Sequence, residues 1–368
     1  MNVIKYSFDN VIEDESQVLV EGLVSLTKMA LNKKAKDNKL AKMYSISDEN
    51  YDELNKSTKE ACLTYSAKQA GIDTVVDVMT RKGLSRALQN DSFEWNFFSI
   101  QTATLGVLLA DTEVRAMEGF VQLHTVGLGD SLTLDIGTKA LYDVEEASYG
   151  NNVTRPRKHF KQPVTITPTP KEASVQFDVV QMLTNNYDFG AEMAKIVLSI
   201  RSKQYQDSVE LLFTGTPLVG TPFYEPSFNL ANYTNLAELV SAVNNTTATA
   251  YGTRSAYRTA SANVTTGSAT LDEINKTGFI TDLWGVNSRI IEQSVDSSTP
   301  AFAFRVPADK LLIIGNSVGA PVQLVQEDYV SVIMEDGAKK NIMTKVYKYI
   351  YSYTVAAVSG NPYGIIEV

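Results

Sequence analysis

Gly315-Asn-Ser-Val-Gly319 fits the pattern Gly-x-Ser-x-Gly and follows an apolar run, Leu311-Leu-Ile-Ile314. That is the setting in which a strand turns a serine outward as the nucleophile of acyl transfer. Two features of the same sequence oppose the reading. A nucleophile elbow leads into a helix, whereas Ala320-Pro321 and the strand-like Val322-Gln-Leu-Val325 follow here. The hydrolase order also places histidine after serine, and both histidines, His124 and His159, precede Ser317. Gly127-Leu-Gly129 is a bare Gly-x-Gly without the third glycine of a dinucleotide site. Two isolated histidines without clustered carboxylates make no zinc site, and His159 sits in the basic run Arg155-Pro-Arg-Lys-His-Phe-Lys161. The single cysteine, Cys62, excludes an intrachain disulfide and reads as a buried thiol in a helical pattern. No catalytic, cofactor or metal site is read. A soluble α+β hydrolase using Ser317 is the alternative from the enzyme class.

The patterning that does stand out belongs to elements. In Asp130-Ser-Leu-Thr-Leu-Asp-Ile-Gly137, Leu132, Leu134 and Ile136 alternate with polar residues. A second extended segment runs from Lys161 to Val180 through Val164, Ile166, Val175, Phe177 and Val179. Between them lies a turn-rich middle around Tyr149-Gly-Asn-Asn-Val-Thr-Arg-Pro-Arg157. Period-two alternation on both sides of such a middle predicts a two-stranded ribbon. A ribbon alone is marginal in water and needs another surface to lie on, which points to a chain that assembles. One arm carries Asp143, Glu145 and Glu146, and the other carries Arg155, Arg157, Lys158 and Lys161. These opposite charges can pair within one ribbon or between one copy and the next.

A long amphipathic helix is predicted from Asp188 to about Phe213, with Phe189, Met193, Ile196, Val197, Ile200, Leu211 and Leu212 on one stripe. Gln204, Asp207 and Ser208 interrupt that stripe, and Glu192, Lys195, Arg201 and Lys203 mark the other face. Asp188 suits the helix start, and Gly215 with Pro217 suits its stop. The first hundred residues read as helices over 17–31, 51–70 and 74–88. Beyond a boundary at 215–226, helices are predicted over 236–243 and 254–261. Strands are predicted over 281–292, 310–314 and 328–334, and a final strand pair over 345–358 and 363–368. In that pair, tyrosines 347, 349, 351 and 353 share one face.

The whole chain bounds these readings. Its 368 residues with 44% hydrophobic content suffice for a large core. A net charge of -9 argues against a dedicated nucleic-acid binder. Neither a signal peptide nor a run of about 18 apolar residues is present, so folding in a reducing cytoplasm without a membrane span is expected.

This order of elements resembles the major capsid protein family of tailed bacteriophages, an HK97-like capsid fold. The segments that carry the resemblance are Pro163-Val-Thr-Ile-Thr-Pro-Thr-Pro-Lys-Glu-Ala-Ser-Val-Gln-Phe177, Ala250-Tyr-Gly-Thr-Arg-Ser-Ala-Tyr-Arg258 and Gly278-Phe-Ile-Thr-Asp-Leu-Trp-Gly-Val-Asn-Ser-Arg-Ile-Ile291. The resemblance implies an α+β architecture in four regions. Residues 1–120 would form an N-terminal helical arm and the start of a peripheral domain, and 121–178 the extended ribbon, or E-loop. Residues 179–220 would carry the spine helix, and 221–368 a mixed α/β axial domain whose closing strands return to the peripheral domain. It implies pentamers and hexamers that tile an icosahedral head around double-stranded DNA, without sequence recognition. Portal, scaffold and decoration proteins are the implied partners, and the virion, assembled in host cytoplasm, is the implied location. The charged residues named above become intersubunit contacts, and Arg254 and Arg258 become axial contacts. An encapsulin-type nanocompartment shell is the alternative on the same fold.

Overall fold

A computed structural model describes residues 14–35, 51–72, 80–87, 89–110, 119–137, 161–178, 188–215, 218, 220–262, 282–291, 293, 295–296, 303–304, 306–316, 320–335, 344–357 and 362–368. Among them the helices are α1 (Asp14–Ala35), α2 (Tyr51–Gln69), α3 (Arg81–Ala87), α4 (Asp91–Ala110), α5 (Phe189–Glu210), α6 (Leu230–Asn244) and α7 (Arg254–Ala262). The strands are β1 (Val121–Val126), β2 (Leu132–Gly137), β3 (Lys161–Ile166), β4 (Thr169–Asp178), β5 (Tyr224–Glu225), β6 (Ala248–Gly252), β7 (Asp282–Leu283), β8 (Val286–Ile290), β9 (Val295–Asp296), β10 (Ala303–Phe304), β11 (Lys310–Gly315), β12 (Val322–Glu335), β13 (Thr344–Ala357) and β14 (Gly364–Glu367). The class is α+β, as the sequence indicates.

Two sheets organise the body. A four-stranded sheet runs β1-β12-β13-β4, with β1 parallel to β12 and the other pairs antiparallel. A six-stranded sheet runs β5-β14-β11-β6-β8-β7. Alternation decides which core each residue joins. Leu311, Ile313, Ala250 and Ile366 face α6 and α7, in a cluster with Tyr233, Leu236, Val240 and Tyr257. Their neighbours Leu312, Ile314, Tyr251 and Ile365 face the larger core, which α1, α2, α4 and α5 share with the four-stranded sheet.

Local chemistry explains the two helices that matter most. Asp188 is extended at φ -89°, ψ 98°, and its carboxylate accepts the Ala191 amide at 2.9 Å, so α5 starts where its first free N–H groups find a cap. The Tyr51 hydroxyl of α2 also donates to Asp188, and Asn55 Oδ1 accepts the Phe189 amide at 3.1 Å. At its far end α5 passes into a π-helical turn, Leu211–Gly215. Helix α4 begins at an Asn90 cap, whose Oδ1 accepts the amides of Ser92 and Phe93. Phe93, Phe97, Phe98, Leu105, Leu108 and Leu109 are all buried along it.

Several sequence expectations change. The segment 161–180 is not one ribbon arm: it breaks at Thr167-Pro168, β3 pairs with β2, and β4 joins the body sheet beside β13. The two closing strands do not pair, because β13 lies in the four-stranded sheet and β14 in the six-stranded one. Arg201 is buried and not on the solvated face, and Gln204 and Ser208 are buried with it. Helix α4 and strand β1 have no counterpart among the elements expected from the sequence. Of the helix expected over 74–88, only Arg81–Ala87 lies in a described helix, and 73–79 fall outside the described residues.

Candidate assembly surface

Strands β2 and β3 form a two-stranded sheet of their own, antiparallel, with Leu132 opposite Ile166 and Leu134 opposite Val164. The pleat therefore puts Leu132, Leu134, Val164 and Ile166 on one face. Ile166 is buried, while Leu132, Leu134 and Val164 stay partly exposed. The opposite face is polar: Thr133 and Thr165 are paired, their hydroxyls 3.1 Å apart, and Asp135 is exposed. This is the amphipathic ribbon that the alternation predicts.

The ribbon's root is held on both sides. On the β2 side, Gly127, Leu128, Gly129 and Asp130 form a turn closed by the Asp130 amide on the Gly127 carbonyl at 3.0 Å. Gly129 sits at φ +77°, in the left-handed region that glycine enters without strain. Its amide donates to Glu327 Oε1 of β12 at 3.1 Å. On the β3 side, the Thr354 hydroxyl of β13 donates to the Thr167 carbonyl at 2.9 Å. The Thr169 hydroxyl donates to the Tyr353 carbonyl at 3.1 Å.

Beneath the root, the platform is unusually polar for a buried layer. Tyr347, Tyr349, Tyr351 and Tyr353 all point inward from β13 and all are buried. Their hydroxyls donate in turn to Glu94 at 3.0 Å, Gln101 at 2.7 Å, Gln326, and Asp207 at 2.8 Å. Each rung fixes the sheet against α4, α5 or the neighbouring strand. Gln326 Nε2 and Arg201 both donate to the Leu109 carbonyl, at 2.8 and 2.7 Å, satisfying a free carbonyl at the end of α4. Arg201 also reaches Gln204 Oε1 at 3.1 Å, and Gln204 Nε2 reaches Gln326 Oε1 at 3.3 Å. Gln204 and Asp207, two of the three polar residues that interrupt the α5 stripe, thus bind it to the sheet, while Ser208 donates to the Gln204 carbonyl within the helix at 2.7 Å. Beside them, a cleft of 410 Å³ is lined by Lys171, Lys203, Asp207, Glu210 and Tyr353, among others. Lys203 pairs with Asp207 at 2.7 Å.

Of the residues proposed from sequence, Asp143, Glu145, Glu146, Arg155, Arg157 and Lys158 lie outside the described residues. Lys161 opens β3, opposite Gly137 at the far end of the pairing. Arg254 and Arg258 are both exposed, one turn apart on α7, and neither makes an ion pair among the described residues. The segment 250–258 is the strand-to-helix passage expected of it, β6 leading into α7 through Thr253, whose hydroxyl caps the Ala256 amide at 3.1 Å. The segment 278–291 contains the hairpin β7–β8, with Trp284 at φ 51° and Gly285 at φ +75° in its turn.

The chemistry candidates are placed as follows. Ser317 lies outside the described residues; β11 ends at Gly315 and β12 begins at Val322. His124 Nε2 lies 2.6 Å from Gln323 Oε1. Gly127-Leu-Gly129 is the turn between β1 and β2. Cys62 is fully buried, and burial pushes its thiol up to about 12. Among the described residues no group of three or more His, Cys, Asp or Glu side chains is placed to hold a metal. No described helix is long and apolar enough to cross a membrane.

The sequence reading missed Gln326, Glu327 and Thr354. The signal was present for the first two: Gln326-Glu327-Asp328 puts three polar residues in a row inside an alternating strand. That break marks the bulge between Gln326 and Val330, which joins what reads as two short strands into one.

No family model and no curated protein matches the chain. The mature capsid of bacteriophage PhiM1 is similar over 68% of this chain and 86% of its own, at 10% identity and a TM-score of 0.42. A phage-related protein from Bordetella bronchiseptica is similar over 72% of this chain and 95% of its own, at 13% identity and a TM-score of 0.46. The chain resembles phage capsid proteins. The encapsulin of Synechococcus elongatus is similar to the same degree, over 67% of this chain and 84% of its own, at 10% identity and a TM-score of 0.41. At TM-scores of 0.41 to 0.46, the likeness to these three adds no residue assignments to the geometry above.

Proposed function

We propose that this chain is the major capsid protein of a tailed bacteriophage, forming pentamers and hexamers that close an icosahedral head around double-stranded DNA. The observation that carries the reading is the β2·β3 ribbon: a two-stranded sheet, separate from both body sheets, whose apolar face stays partly open within its own chain. Such a ribbon gains most by lying on another copy. In this reading residues 1–120 supply the helical arm and part of the peripheral domain, the stretch from β2 to β3 within 121–178 the ribbon, 179–220 the spine helix and 221–368 the axial domain, while β1 and β4 stay in the body sheet. Asp143, Glu145, Glu146, Arg155, Arg157, Lys158 and Lys161 orient the ribbon on its neighbour, and Arg254 and Arg258 meet other copies at the axis. Portal, scaffold and decoration proteins complete the particle, which is assembled in host cytoplasm and ends as the virion. The role is structural and uses no cofactor.

Expression of the chain alone, followed by electron microscopy and sedimentation, tests this. Closed shells or pentameric and hexameric capsomers are the expected result; a monomer under all conditions would overturn it. Deleting residues 143–161 should leave a folded body that makes no stable shells. A nanocompartment shell that encloses proteins is the second reading, favoured by the net charge of -9, which gives the chain no overall attraction for a nucleic acid. Nuclease-protected DNA in purified particles selects the first reading, and copurified protein cargo without DNA selects the second.

A further inference from the structure

Glu327 is 9% exposed, and among the described residues its carboxylate has one hydrogen-bond partner, the Gly129 amide at 3.1 Å. That bond joins residues 198 positions apart. Glu327 lies where β12 bulges between Gln326 and Val330, directly beside Val126, the last residue of β1 before the ribbon. Bulges re-aim side chains and end pairing. Successive strand residues point to opposite faces. Gln326 accordingly turns into the buried network of Leu109, Gln204 and Tyr351, and Glu327 turns out to the ribbon's root. A Cβ added at Gly129 would meet nothing within 4 Å, so that glycine answers to its φ of +77°, the conformation in which its amide meets the carboxylate, and not to crowding. The other strand of the root is tied by Thr354 to the Thr167 carbonyl at 2.9 Å.

We propose that Glu327 is a positioning residue for the ribbon: its carboxylate fixes the Gly127–Asp130 turn, and with it the direction in which β2 and β3 leave the body. Thr354 serves as the second fixed point. The adjacent Gln326 makes the setting part of the α4–α5–sheet junction, so a rearrangement of that junction shifts the ribbon. The consequence for assembly rests on the capsid reading above; the positioning itself does not, and it is measurable on dissociated subunits.

Spin labels at Thr133→Cys on the ribbon and Lys195→Cys on α5, both exposed positions, report the ribbon's direction, while the buried Cys62 stays unlabelled. In Glu327→Ala the distance distribution should widen at least twofold, and the Gly129 amide should exchange at least tenfold faster. Glu327→Gln keeps an accepting oxygen and should leave both within twofold of the parent chain. A folded Glu327→Ala subunit with unchanged distances and exchange overturns the proposal. If that variant fails to fold, the parent chain decides: Gly129 is an exposed turn residue, so an amide exchanging at the unprotected rate would overturn the proposal, and tenfold or greater protection would support it. Failure of shells to form alongside the expected spin-label and exchange results would overturn the capsid reading alone.

Discussion

Tyr349 is fully buried, yet its hydroxyl finds Gln101 Oε1 at 2.7 Å, and the same solution recurs at Tyr347, Tyr351 and Tyr353. Aromatic bodies fill the layer while the hydroxyls select one registry between sheet and helices, since a shifted registry would strand each of them. Burial raises the ionisation of Tyr349 and Tyr257 well above the ordinary phenol value of 10.0, and it does the same for Tyr51 and Tyr353, where Asp188 and Asp207 add to the effect. A value raised by folding means that the neutral phenol is favoured in the folded state. That stabilisation is complete below pH 10 and is lost as pH rises beyond it. Tyrosinate absorbance should therefore show this buried set ionising only with cooperative unfolding above pH 10. A smooth titration of every tyrosine near 10 in folded protein would contradict the ladder. Cys62 gives a companion test. Its thiol, held up at about 12, should ignore a disulfide reagent at pH 8 and react within seconds once denatured, which a colorimetric thiol assay resolves.

At the scale of elements, α5 depends on its start. Asp188→Ala removes the cap on the Ala191 amide and the acceptor of the Tyr51 hydroxyl, and should cost about 1–2 kcal/mol in urea unfolding. Asp188→Asn, an equally good cap, should recover most of that loss. This cap was legible in the sequence, as were the apolar stripe behind it and the alternation of β2 and β3, because each rests on local patterning. What escaped the sequence depended on long-range partners. Helix α4 is apolar on several sides and so lacks the one-sided stripe that announces a surface helix; its burial is decided by α1, α2, α5 and β12. Arg201 looks like a solvated-face residue until the Leu109 carbonyl, 92 residues earlier, comes within 2.7 Å. The split at Thr167-Pro168 was visible as a proline, but only β13 beside it reveals that β4 belongs to the body. Glu327 escaped for the same reason: its partner is Gly129, 198 residues away.

For the whole molecule, charge and apolar contact pull in different directions. A net charge of -9 makes identical copies repel, and salt screens that repulsion over a length of about 10 Å at 0.1 M. An interface built only on Leu132, Leu134, Val164 and Ile166 should therefore hold or strengthen as salt rises. An interface oriented by Asp143, Glu145 and Glu146 against Arg155, Arg157, Lys158 and Lys161 should weaken instead. Each exposed pair contributes less than about 1 kcal/mol, yet a closed shell repeats the contact in every copy, and repeated contacts multiply through effective concentration. The proposed role of those charges therefore leads to a definite expectation: shells should dissociate more readily between about 0.05 and 0.5 M salt, where the screening length falls from beyond the pair distance towards it. Sedimentation of preformed shells across that range reads the effect, and unchanged or firmer shells would remove the charged residues from the interface. Charge reversal then separates pairing from general repulsion. Arg157→Glu alone should weaken shells, and Glu145→Lys added to it should restore them only if the two residues face each other across copies or along the ribbon. Restoration by a lysine at an unrelated exposed site, such as Gln122 on β1, would show that net charge and not pairing governs assembly.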